Sequence, residues 1–168
     1  MMTSRNTPGV TLRYTDRLSV EQLMIFSLWM SNSDPWRHCK YSTEECRTKL
    51  SNPRCAFLLA SVDDEDVGFL AYLEDGDLGG PLIRYVATAP HRRSQGTGSA
   101  LIKELLHHFA GKSIYLTVSE SNVRARALYL KLGFSEIGAI PDYNLRGESE
   151  QILRYPGHPK RESAVTAE

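Results

Sequence analysis

The spacing of hydrophobic positions changes several times along this chain, and the changes divide it into elements. Leu101, Ile102, Leu105, Leu106 and Phe109 recur at helical spacing, so a helix with one core-facing side is expected from about Gly96. The runs A-F-L-L-A-S-V at 56–62 and V-G-F-L-A-Y-L-E at 67–74 flank an acidic turn at 63–66 and predict an antiparallel hairpin. Residues 10–14, 82–88, 113–118, 134–140 and 150–155 read as further strands. Ser19 with Gln22, and Ser42 with Glu45, have the spacing of reciprocal capping pairs. They predict helices over 21–30 and from 42 to the Asn52-Pro53 step. Asn122 starts a fourth helix, which runs through Lys131 and stops at Gly133. The D-G-D-L-G-G stretch at 75–80 is expected to be a flexible link. The resulting order is β-α-α-β-β-β-α-β-α-β-β, an α/β (mixed α+β) chain with a single mixed sheet and helices on both faces.

Composition narrows the picture without redirecting it. At 168 residues the chain suits one domain, placed at 1–155, with a polar, proline-containing tail at 156–168 expected to be disordered. A formal net charge of zero argues against nucleic acid as the partner. Charged residues interrupt every apolar run, so no membrane span is expected. The first residues, M-M-T-S-R-N-T-P-G, lack the apolar centre of a signal peptide. Cys39, Cys46 and Cys55 have no paired spacing, so neither a disulfide framework nor a metal site is expected. A reduced, cytoplasmic protein is the simplest reading.

The candidate chemistry lies in V-A-T-A-P-H-R-R-S-Q-G-T-G-S-A-L-I, residues 86–102: a strand, a basic turn, a glycine-rich loop and a helix start. Unpaired N–H groups at a helix N-terminus make an anion site, here most simply for a pyrophosphate. A Walker loop would need Gly-Lys-Ser/Thr, but Gly98 is followed by Ser99 and Ala100. A dinucleotide fingerprint is closer, because G-T-G precedes a helix and Glu120 follows at a suitable distance. Against it, residues 89–95 separate the strand from the first glycine, and Leu101 fills the third glycine position. The remaining form is the acyl-CoA cradle R-x-x-G-x-G, spelled Arg93, Ser94, Gln95, Gly96, Thr97 and Gly98.

At this point the sequence resembles the GNAT superfamily of N-acetyltransferases, of bacterial type, over roughly residues 55–155. A second hallmark supports the likeness: Asn122, Ala125, Tyr129, Gly133 and Phe134 fall on N-x-x-A-x-x-x-Y-x-x-x-G-F. The resemblance implies the GNAT fold, a mostly antiparallel sheet whose central strands splay around the pantetheine arm of acetyl-CoA. It also implies that Val86, Ala87 and Thr88 pair with that arm, with an N–H near Val86 facing the thioester carbonyl. Arg93 through Ser99 would hold the pyrophosphate, and Asn122 and Ala125 would border the arm. Tyr129 would be the general acid for the departing thiolate. Gly96 and Gly98 are expected where the backbone must approach the ligand or turn left-handed.

In some relatives a Glu on the strand before the Asn motif acts as base; here Thr117 stands there. Glu74, Asp75 and Glu120 are substitutes by position only. For the acceptor, the turn-rich loop carrying Trp36 and Tyr41 has a D-P-W-x-x-x-x-Y-S-x-x-x-C pattern, similar to bacterial GNAT proteins of unassigned acceptor. With Glu74, Tyr143 and the neighbouring Asp142, these two aromatics are the candidate acceptor-binding residues. The expectation is direct acetyl transfer to a primary amine of a small molecule, protein or peptide, without a metal. A homodimer through the last strands stays open by analogy. Two other readings stay open: a non-catalytic acyl-CoA-binding sensor and a nicotinamide-dependent oxidoreductase.

Overall fold

The computed structural model describes residues 9–157. Most of the expected disordered tail, from residue 158 onward, lies outside the described residues, as do residues 1–8. The elements are β1 (Thr11–Thr15), α1 (Val20–Ser31), α2 (Thr43–Leu50), β2 (Cys55–Val62), β3 (Glu65–Gly76) and β4 (Gly80–Thr88). After a single 3-10 turn at Pro90–Arg92 come α3 (Thr97–His108), β5 (Ile114–Ser119), α4 (Val123–Lys131), β6 (Ser135–Ile140) and β7 (Glu150–Tyr155). All seven strands form one sheet in the order β1-β2-β3-β4-β5-β7-β6. Only β4 and β5 pair in parallel; every other neighbouring pair is antiparallel.

Local signals fix the helix starts. Ser19 and Ser42 each accept from the backbone N–H three residues on, and Gln22 and Glu45 reach back to the cap N–H groups. The link expected to be flexible is a tight turn instead. β3 continues to Gly76, which pairs with Gly80, and the Gly79 N–H donates to the Gly76 carbonyl. Strand pairing on both sides therefore orders this glycine-rich segment.

Two apolar layers sandwich the sheet. On one face, α3 and α4 cover a core of Leu58, Leu70, Leu101, Leu105, Leu116 and Leu153, among others. On the other, α1 and α2 bring Phe26, Met30, Cys46 and Leu50 onto Phe57, Leu59 and Phe69. Phe26 stacks on Phe69 with ring centroids 4.6 Å apart, worth about 0.5–1.5 kcal/mol beyond the area the rings bury.

The site depends on how β4 and β5 part. They pair only at Leu82 with Tyr115 and Ile83 with Leu116. The closed end is tight, because a Cβ on Gly80 would lie 2.2 Å from the Ser113 carbonyl oxygen. Beyond it, Ala71 faces Tyr85 while Tyr72 faces Ile83, so Arg84 is an extra residue on β4. Such a bulge bends the strand that carries it. It falls directly after the last β4–β5 pair, and from there the two strands diverge.

Candidate active site

The wedge opens into a cavity of about 1070 Å³. Val86, Ala87 and Thr88 line it from β4, and Asn122, Ala125 and Tyr129 from α4 and its cap. The β4 residues pair with Leu70, Phe69 and Gly68 of β3, while their other edge faces no strand. That leaves a row of main-chain groups on which an extended ligand can add like a strand.

Arg93 and Ser94 also line the cavity, whereas Gln95, Gly96, Thr97, Gly98 and Ser99 continue past its rim as the loop and first turn of α3. Ser94 and Gly96 are left-handed, with φ of 62° and 84°. Left-handed turns of this kind gather N–H groups into an anion-binding concavity. Among the described residues, the N–H groups of 94–99 make no hydrogen bond, and they stand at the positive end of the α3 dipole. Gly96 needs its glycine for conformation. Gly98 is helical with open space around it, so neither its conformation nor a neighbouring atom requires a glycine there.

The arginines divide the work differently from their order in the motif. Arg93 donates from Nη2 to the Ser33 hydroxyl, tying the loop to the end of α1. Arg124 donates to the Ser94 hydroxyl at 2.9 Å. Arg92 is half-buried and its Nε has no partner among the described residues.

Asn122 caps α4, its Oδ1 accepting from the Ala125 N–H at 3.4 Å, and so aims the helix at the wedge. Tyr129, near the end of that helix, sits edge-on to Phe134 with ring centroids 5.8 Å apart. Among the described residues its hydroxyl has no hydrogen-bond partner, and the side chain lines the cavity. Burial pushes the phenol up to about 12, so it holds its proton at neutral pH.

On the sheet face of α1 and α2, the cavity is walled by aromatic and polar side chains. Trp36 packs edge-on to Tyr85 at 6.4 Å between ring centroids. Tyr41 donates to Asn144 Oδ1 at 3.2 Å, and Lys49 Nζ sits 4.3 Å from the centre of its ring. Asn144 Nδ2 donates to Glu150 Oε2 at 3.1 Å, and the Ser119 hydroxyl donates to the same oxygen at 2.8 Å. Tyr143 lines the mouth and is exposed. Thr117 lines the wall opposite Ile152.

The structure thus gathers Val86, Ala87, Thr88, Arg93, Ser94, Asn122, Ala125 and Tyr129 with Trp36, Tyr41 and Tyr143 around one space, while the candidates at 95–99 stand beyond its rim. Glu74 and Asp75 lie exposed on β3, outside the residues that line it. Glu120 is likewise exposed and outside, accepting from the Ser149 N–H at 3.4 Å. Sequence reasoning missed Glu150, Asn144, Tyr85 and Ser33. An acidic residue opening a strand, two before Ile152 on the same face, was a visible signal for Glu150; its value depends on the β5–β7 register. Cys39 lines the cavity, and burial pushes its thiol up, with the nearby Glu148 and Glu150 carboxylates adding to the shift. No group of three or more His, Cys, Asp or Glu that could hold a metal occurs among the described residues.

The model of the acetyltransferase (GNAT) family matches residues 22–134, and the chain belongs to that family. It is 33% identical over 105 residues to an uncharacterized N-acetyltransferase of Methanocaldococcus jannaschii, covering 60% of this chain and 65% of that one. It is 30% identical over 122 residues to an N-alpha-acetyltransferase of Sulfurisphaera tokodaii, covering 64% of this chain and 72% of that one. The chain spans 32% of the length of a third curated relative, an uncharacterized protein of Mycobacterium leprae. A solved structure of an aminoglycoside 6'-N-acetyltransferase complexed with coenzyme A has the same fold, with a TM-score of 0.69 at 18% identity. That match covers 90% of this chain and 99% of the other.

Proposed function

We propose that this protein transfers acetyl from acetyl-CoA directly to a primary amine, with no acyl-enzyme intermediate. The observation that carries the reading is the wedge: β4 leaves β5 after Ile83, and the space between them joins an unpaired N–H loop to a lone phenol. The pantetheine arm would add along Val86, Ala87 and Thr88, with the diphosphate on the loop at 93–99. A β4 N–H facing the thioester would stabilise the oxyanion as the amine attacks. Tyr129 would donate to the sulfur as the carbon–sulfur bond breaks. An unperturbed thiol titrates near about 8.5, well below this phenol. Donating a hydrogen bond to the developing thiolate is therefore its main contribution. Cys39 is poorly suited to carry the acetyl group, because its burial favours the thiol over the nucleophilic thiolate.

The acceptor side supports an amine that carries apolar or aromatic surface, since Trp36, Tyr41, Tyr85 and Tyr143 surround its entry. The test is thiol release from acetyl-CoA with spermidine, kanamycin, tyramine and a short peptide with a free N-terminus. Acetylation of at least one is expected, together with thermal stabilisation by acetyl-CoA and none by NAD or NADP. Stabilisation by NAD alone would overturn the reading. Tight acetyl-CoA binding without turnover on any amine would favour a sensor.

A further inference from the structure

Within that acetyl-transfer reading, on which this step rests, we propose that Glu150 is the base that takes the proton from the incoming amine. Thr117, at the place where the resemblance puts a carboxylate, has no group that accepts a proton at neutral pH. Thr117 pairs with Ile152 and Ser119 with Glu150, so Glu150 points to the same face as Thr117 from the adjoining strand. Such diagonal neighbours lie roughly 7–8 Å apart, about one water from the Thr117 position.

The local bonding shows a carboxylate with one side held and the other free. Glu150 is only 7% exposed and lines the cavity. Its Oε2 takes both hydrogen bonds, from the Ser119 hydroxyl and from Asn144, which is itself held by Tyr41. Among the described residues Oε1 has no partner, and no Lys, Arg or His forms an ion pair with Glu150. Burying a carboxylate without a cation is costly, and the missing cation is what an ammonium acceptor supplies. Of the other acidic groups nearby, Asp34 pairs with Arg37 at 3.1 Å. Glu148 stands outside the cavity lining, its Oε1 accepting from the Ser121 N–H at 3.1 Å. Its buried Oε2, 3.4 Å from His38, accepts no hydrogen bond among the described residues. Besides these, the titratable groups that line the cavity with Glu150 on this side include Cys39, Tyr41, Lys49, Arg84, Tyr85 and Tyr143, with Tyr129 facing it from α4.

The step balances as follows. The acceptor enters as R–NH3+, and one N–H proton passes to Glu150 Oε1, directly or through one water. The freed nitrogen pair forms the carbon–nitrogen bond at the thioester carbonyl. The carbon–sulfur bond breaks with its electron pair on sulfur, as a thiolate that accepts a hydrogen bond from the Tyr129 phenol. The second proton lost from nitrogen passes to that thiolate, and Glu150 releases its proton to water.

The test compares the wild-type chain with Glu150→Gln on whichever of spermidine, kanamycin, tyramine or peptide the wild type acetylates, from pH 6 to 10. We expect kcat/KM at pH 7 to fall about 100-fold, the loss shrinking as pH approaches the amine's own pKa, with the Kd for acetyl-CoA within 2-fold. A rate within 3-fold of wild type with an unchanged pH profile overturns the inference and leaves the acetyl-transfer reading standing. A wild type that binds acetyl-CoA and acetylates none of the four overturns both. If Glu150→Gln does not fold, Asn144→Ala replaces it. Losing one of the two Oε2 bonds should move the acid limb of the pH profile while acetyl-CoA affinity holds, and an unmoved limb overturns the inference.

Discussion

On the proposed reading the cavity has a donor half and an acceptor half, and they are built by opposite means. The donor half is nearly continuous in sequence, β4 through the start of α3, and its working groups are mostly main-chain N–H and C=O. The acceptor half collects Trp36 and Tyr41 from the α1–α2 loop, Tyr85 from β4, Asn144 from the β6–β7 loop and Glu150 from β7. One of its hydrogen bonds, Tyr41 to Asn144, spans 103 positions of chain. A main-chain site tolerates side-chain change except where a glycine sets the conformation. A side-chain site can be altered residue by residue. The acceptor could therefore be changed in such a protein without disturbing how it holds acetyl-CoA.

Tyr129 stands between the halves and gives the sharpest break. In the proposed reaction Tyr129→Phe removes the hydroxyl that donates to the sulfur and leaves the ring packed on Phe134. The kcat should fall about 100-fold, equivalent to about 2.7 kcal/mol of barrier, with the acetyl-CoA Kd unchanged. A fall in affinity with kcat preserved would move Tyr129 from the chemistry to the cradle. The same variant identifies its proton. Burial raises the phenol, so it stays protonated above the pH at which an ordinary tyrosine ionises and loses its proton only as pH passes about 12. An ultraviolet titration of Tyr129→Phe should lack one phenolate in that last step.

Gly96 tests the donor half alone. A valine there would have to adopt a φ of 84°, which costs a side-chain-bearing residue about 1–2 kcal/mol, and more when β-branched. Gly96→Val should weaken acetyl-CoA binding at least 10-fold by calorimetry, while kcat at saturating acetyl-CoA changes little. Loss of kcat with affinity intact would mean that the loop positions the thioester rather than the diphosphate.

The same division explains what was legible in the sequence. Capping pairs at Ser19 and Ser42, the 67–74 strand and the two hallmark segments are local, and each appears at the expected place. The bulge at Arg84 has no sequence signature, because it exists only through β4's pairing with β3. The insertion of β7 between β5 and β6 is equally invisible along the chain. Until that register is known, Glu150 reads only as the first residue of a strand, and exposed acids such as Glu74 look equally eligible. The 75–80 link was misjudged for a related reason: its glycines serve close strand approach at Gly76 and Gly80 rather than mobility.

The mildest change probes the acceptor half without unfolding it. Tyr41→Phe keeps the ring beside Lys49 and removes only the hydroxyl that holds Asn144. A hydrogen bond of this kind contributes about 0.5–1.5 kcal/mol net, so the KM for the amine should rise roughly 2- to 10-fold. The KM for acetyl-CoA should stay where it was, because the Tyr41 hydroxyl bonds to Asn144 on the acceptor side. Asn144 would still donate to Glu150 from Nδ2, which limits the effect on kcat to a few-fold. Equal rises in both KM values would show that the two halves are mechanically coupled. The link to inspect would then be the Arg93 bond to Ser33, the direct tie between the phosphate loop and the loop that carries Trp36 and Tyr41.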